Sequence, residues 1–126
     1  MSTNGLIGKM EYDGLIAGLE PAAIVGAGLI LGGESDTEYK RGTAFSKNDD
    51  GKLVILGTEA GEGTALTPDC IICEDTVVGT EDALASVYVA GCFDPEKIIV
   101  ADGYELTDKD KDALRVRGIY LCDKID

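Results

Sequence analysis

The chain reads as a small, mainly β single domain of short strands with one short C-terminal helix, and three observations point there. Glycine is dense, 17 of 126 residues, while Trp is absent and only 5 Tyr and 2 Phe occur, a composition that suits frequent turns better than long helices. Short apolar runs are bounded by clusters of Gly, Asn, Asp and Ser instead of recurring at helical spacing. Only residues 108–117 carry a full set of helix signals. At this length one core is expected, with roughly two-thirds of the unfolded chain's surface buried on folding.

Residues 23–31 are the first regular strand candidate, followed by the turn Gly32-Gly33-Glu34-Ser35-Asp36. The string Tyr39-Lys40-Arg41-Gly42-Thr43-Ala44-Phe45, with Asp50-Gly51-Lys52-Leu53-Val54 after it, reads as two short strands joined by a polar turn. Strands at 42–46 and 52–56 then make a hairpin, because the Asn, Asp and Gly of Lys47-Asn48-Asp49-Asp50-Gly51 adopt the conformations a tight reversal requires. Residues 57–67 are loop, closed by Pro68-Asp69 before a buried apolar strand at 70–74. Residues 83–91 alternate as a strand, Val87 and Val89 on one face, Tyr88 and Ala90 on the other, with Gly91 expected to break it. Thr107 is placed to cap the helix, Asp110 stands at its third position, Arg115 and Arg117 suit its C-terminal dipole, and Gly118 ends it before a last strand at 119–121.

Residues 1–20 differ from the rest. Leu6, Ile7, Met10, Tyr12, Leu15 and Ile16 are apolar, yet Gly5, Gly8, Gly14 and Gly18 interrupt any helical stripe. Such a segment cannot offset its own ordering entropy, so it is either a mobile arm that orders on a partner or a first strand of the domain. The division expected is an arm at 1–20 and a β domain at 21–126.

Composition also excludes functions. A net charge of -13 opposes sequence-independent binding to nucleic acid or anionic lipid, so no nucleic-acid partner is expected. Nothing near Met1 resembles a secretion signal, and the apolar stretch 22–31 is too short to span a bilayer, so no membrane partner is expected. With no His, the four Cys at 70, 73, 92 and 122 lack mixed metal partners. The apolar Ile71-Ile72 within Cys70-Ile71-Ile72-Cys73 is unlike a redox loop. Free, partly buried core thiols are expected, with a disulfide or a metal as the alternatives, and no cofactor. Gly61-Glu62-Gly63 lacks the Gly-Lys-Ser/Thr of a phosphate loop. Asp108, Asp110 and Asp112 mimic an EF-hand start, but Ala113 and Ile119 occupy the positions of its Gly and Glu, so these acids read as a solvated helix face. No catalytic residue is expected.

The order and spacing of several blocks resemble the lambda-type head decoration proteins of tailed bacteriophages. They are Leu15-Ile16-Ala17-Gly18 with Pro21, the hairpin strings above, Val87-Tyr88-Val89-Ala90-Gly91-Cys92-Phe93, and Ala113-Leu114-Arg115 to Gly118-Ile119-Tyr120-Leu121. The resemblance covers residues 15–121 and implies that the block through Phe93 is a central sheet strand whose Gly91 allows a sharp bend. It implies a β-tulip-like, partly open barrel and a non-enzymatic capsid protein of the virion, assembled as a homotrimer on the outer surface of the expanded head after synthesis in the host cytoplasm. The implied partner is the major capsid protein, clamped by strand addition, with Leu6, Ile7, Met10 and Tyr12 as candidate contacts of the arm. A tail or baseplate adaptor and a small thiol-containing enzyme or redox protein are the rival classes.

Overall fold

The computed structural model describes residues 15–18, 22–58 and 66–121. The fold is mainly β, with short strands, a partly barrel-like sheet and one short C-terminal α-helix. In chain order the elements are β1 (Ile16–Gly18), β2 (Ile24–Ile30), β3 (Thr37–Tyr39), β4 (Ala44–Lys47), β5 (Leu53–Ile55), β6 (Pro68–Ile72), β7 (Thr76–Val78), β8 (Ala83–Phe93), a 3-10 turn (Pro95–Lys97), α1 (Asp108–Val116) and β9 (Ile119–Leu121).

The expected hairpin is β4–β5, in register Phe45↔Ile55 to Lys47↔Leu53. Its turn is built by Asn48, whose side-chain Oδ1 accepts from the N–H groups of Asp50 (3.0 Å) and Lys52 (2.9 Å). Strand β8 pairs with β2 through Ile24↔Ala90 to Ile30↔Ala83 and with β6 through Ile71↔Tyr88 and Ile72↔Val87. Strand β6 pairs with β4, β4 with β5, and β5 meets β2 in parallel at Ile30↔Leu53. The path β8–β2–β5–β4–β6 therefore returns to β8 and closes a ring.

Strand β8 does not end at Gly91. It runs on through Phe93, and there it exchanges partners, taking β9 in parallel (Ile119↔Gly91) and β1 antiparallel (Ile16↔Phe93). Gly91 sits at φ +146°, and a Cβ on it would lie 2.7 Å from the Phe93 ring. Glycine is thus a condition of the bend and not a terminator of the strand. Strands β3 and β7 pair as a separate two-stranded sheet (Thr37↔Val78 to Tyr39↔Thr76) that the sequence pattern does not reveal, because three residues are too few to display a period.

Apolar clusters lie on both sides of the ring, although the outer side of β2 stays open. One cluster contains Ile30, Phe45, Leu53, Cys70, Ile72, Val78 and Val87, with Tyr39 of β3 packed edge-on against Phe45, centroids 5.1 Å apart. The other contains Leu15, Ala44, Leu56, Ile71, Tyr88, Phe93, Leu114 and Ile119. Alternate residues of β4, β6 and β8 enter opposite clusters, which explains why Cys70-Ile71-Ile72 is apolar throughout. Leu15 is 1% exposed and its carbonyl accepts from the Asp94 N–H at 2.8 Å. Residues 15–18, assigned to an arm on sequence grounds, are accordingly part of the domain, because Leu15 fills the core and β1 covers the end of β8. The candidate contacts Leu6, Ile7, Met10 and Tyr12 lie outside the described residues.

Helix α1 begins as expected: the Thr107 side chain accepts from the Asp110 N–H (3.0 Å) and Asp110 accepts from the Thr107 N–H (3.1 Å). Asp110 is not solvated. At 6% exposure it also accepts the Tyr104 hydroxyl, a bond that ties the loop before the helix to its first turn. Burial, and then this bond, push the Tyr104 phenol up to about 12.

Three measurements follow from these contacts. Gly91→Ala places a side chain at positive φ against Phe93 and should cost about 1–3 kcal/mol in a denaturant melt. Asp110→Ala, which removes a cap and strands the Tyr104 hydroxyl, should cost about 1–3 kcal/mol. Because the Tyr104 pKa is raised on folding, its contribution is complete below about pH 10 and is lost as pH rises toward about 12. Thermal melts across that range should show the loss, and Tyr104→Phe should shrink it, the partly buried Tyr39 phenol, also raised, retaining a part.

Candidate interaction surface

The ring is closed by a seam, and the seam is short. Beyond Ile30↔Leu53, β2 and β5 share only the bond from the Leu31 N–H to the Leu53 carbonyl, 2.9 Å. Asp82 pins this end: its carboxylate takes Lys52 Nζ at 2.7 Å and the Gly32 N–H at 2.9 Å, joining the ends of β2, β5 and β8. The Lys52 hydrogen bond, and then the Gly32 N–H, hold the Asp82 carboxyl below the usual carboxylate range. The sign follows. The pin is complete above the ordinary carboxylate pKa and is lost as pH falls below it.

Backbone direction alternates along a strand, so the Leu31 bond fixes which groups look toward β5. The N–H and C=O groups of Leu29, Ala27 and Val25 point to that side, where no strand of the described residues pairs with them. Beside this free edge lies a cavity of about 500 Å³ whose lining includes Leu29, Lys47, Cys70, Val89 and Arg117. Arg117 is held at its mouth by Asp69, Nη1 to Oδ1 2.9 Å. Gly28 belongs to the same wall, and Leu53 crosses it so closely that a Cβ would meet Leu53 Cδ1 at 2.5 Å.

On the other face of β2 the apolar residues lie open. Val25 is 57% exposed, and the cross-strand pair Leu29 and Leu84 is 38% and 72% exposed. Residues 22–33 contain no charge at all, in a chain with 24 acidic and 11 basic side chains. Free edges are ordinarily guarded by Lys, Pro or a bulge. This one carries a bulge only at its start, between Ile24 and Val25. The sequence places a strand here without disclosing that its face and edge stay uncovered, since apolar content ordinarily signals burial.

The described thiols fall into two kinds. Cys70 and Cys73 are free, whereas Cys92 is disulfide-bonded, which corrects the expectation of free thiols at that position. Burial, and then Asp69, push Cys70 up to about 12, and burial followed by Glu74 raises Cys73, so both stay protonated at neutral pH. Among the described residues no group of three His, Cys, Asp or Glu could hold a metal ion, and no helix is long and apolar enough to cross a membrane.

A scan against protein-family models finds no match for this chain, and neither does a search of curated proteins.

Two measurements check this geometry. Asp82→Asn should speed hydrogen exchange at the Leu31 amide at neutral pH by unpinning the seam, while the Val87 amide, on the opposite side of β2, keeps its rate. Alkylation of denatured, unreduced protein should modify Cys70 and Cys73 but not Cys92, which should react only after reduction.

Proposed function

We propose that this chain is a structural protein that acts by assembly: a head decoration protein that sits as a trimer on the outer surface of an expanded phage head and holds neighbouring coat subunits together. The observation that carries this reading is the free, uncharged edge of β2 with apolar residues on its open face, the surface by which β proteins add strands across molecules. It stands beside the ordered sequence blocks from Leu15 to Leu121 and the mainly β fold with one C-terminal helix. Strand addition at this edge draws affinity from backbone hydrogen bonds and joins copies into the trimer, and the three copies then multiply weak contacts with the coat into lasting attachment. The excess of acidic over basic residues suits an outward surface that keeps particles apart. A thiol enzyme is disfavoured by the raised, buried Cys70.

Cryo-electron microscopy of particles made by cells that express this chain together with the genes that flank its own tests the proposal. Threefold-related density on the outside of expanded heads is the expected result. Density on tails or baseplates would assign the chain to the adaptor class instead, and particles lacking it altogether would overturn the reading. Light scattering at tens of micromolar should give the mass of three chains, and a stable monomer counts against a preformed trimer.

A further inference from the structure

We propose that the open edge of β2 is a strand-acceptor site, and that its occupant is the N-terminal segment of a second copy of this chain. Residues 9–13 of one copy pair with Val25, Ala27 and Leu29 of the next. This goes beyond a role on phage heads and does not depend on it. The sequence alone directs Leu6, Ile7, Met10 and Tyr12 at a coat protein, whereas the β2 edge supplies a recipient within the assembly itself.

Both partners have matching chemistry. Lys9-Met10-Glu11-Tyr12-Asp13 alternates strictly between charged and apolar residues, the pattern of a half-buried strand. Laid against β2, its Met10 and Tyr12 meet the open face of Val25, Leu29 and Leu84. Lys9, Glu11 and Asp13 then turn to the other side, a net negative face toward the cavity lined by Lys47, Arg117 and Asp69, in which Asp69 already holds Arg117 and Lys47 is the cation left for Glu11 or Asp13. The three acceptor residues offer three N–H and three C=O groups along one edge, sufficient for a five-residue strand.

The exit point of the segment selects a neighbour over the segment's own domain. Strand β1 runs antiparallel to β8, with Ile16 opposite Phe93 and the Leu15 carbonyl bonded to the Asp94 N–H. Followed backward from Ile16, the chain therefore leaves past the end of β8, away from the stretch 83–90 that carries β2. The 14 residues before Leu15 reach about 46–50 Å when extended, enough to cross to another copy. When each copy gives one strand and receives one, the contacts are head-to-tail and close into a ring.

A benzophenone photocrosslinker at position 12 of the full-length protein tests this, using light and 15N-labelled chains refolded together. The expected cross-links join position 12 to peptides containing Val25, Leu29 or Leu84, with about half of the pairs linking a light to a heavy chain, as random mixing of separate copies requires. Cross-links confined to single copies, directed to other surfaces or absent would overturn the proposal. In the assembled protein the amides of Val25, Ala27 and Leu29 should exchange about a hundredfold more slowly than in dilute monomer; unprotected exchange there would also overturn it. Ala27→Pro deletes an edge N–H without touching the β8 ladder and should yield monomers that keep the strand signature in circular dichroism. An Ala27→Pro variant that still assembles contradicts the proposal, and if that variant fails to fold, the cross-linking and exchange results decide. A trimer that fails these tests yet decorates heads would leave the proposed function standing and remove this inference alone.

Discussion

Strand β8 is the constraint on which the rest of the structure depends. Eleven residues long, it pairs with β2 and β6 in its first part and with β1 and β9 in its last, so four strands take their register from one. The two parts are joined at Gly91, whose positive φ redirects the strand from the ring toward the C-terminal layer. Tyr88 and Phe93 lie on either side of that bend with their rings 5.1 Å apart, both in the cluster that receives Leu114 of the helix and Ile119 of β9. A side chain at position 91 would push against Phe93 and disturb both layers at once.

Ring closure is the second constraint, and it is only partly met. Four of the five contacts around the ring are extended or supported on both sides, but β2 and β5 meet at one residue pair. Gly28 lets Leu53 cross near this junction, and Asp82 ties its ends together through Lys52 and Gly32. Further along β2 the strands diverge, leaving backbone groups exposed to water and a cavity beside them. An edge of this kind is an aggregation hazard unless a defined partner covers it.

The C-terminal layer is held differently, by polar bonds placed where apolar area is scarce. Helix α1 has a single fully buried apolar side chain, Leu114, so its attachment relies on its cap and on Asp110, which gathers the Thr107 N–H and the Tyr104 hydroxyl. A carboxylate removed from water needs such donors to repay its desolvation. Arg41 performs a similar task beside β8, donating to the Cys73 carbonyl at 3.1 Å and the Tyr88 hydroxyl at 2.6 Å.

What the sequence by itself determined is local. The β4–β5 hairpin and the helix cap are legible because the turn bonds of Asn48 and the capping bonds between Thr107 and Asp110 span no more than four positions, and the strand at Cys70-Ile71-Ile72 is legible from its apolar run. Gly91 was visible as an irregularity, but whether a glycine ends a strand or bends it depends on the partners available beyond it, and those arrive from Ile16 and Ile119. The pairing of β3 with β7 and the burial of Leu15 are likewise decided by neighbours distant in sequence. The same holds for the candidate surface: the uncharged run at 22–33 is plain in the sequence, yet an apolar strand is written the same way whether it is covered or open. Only the closure of the ring around β8, stopping one residue pair after it meets β5, leaves that strand with a free edge.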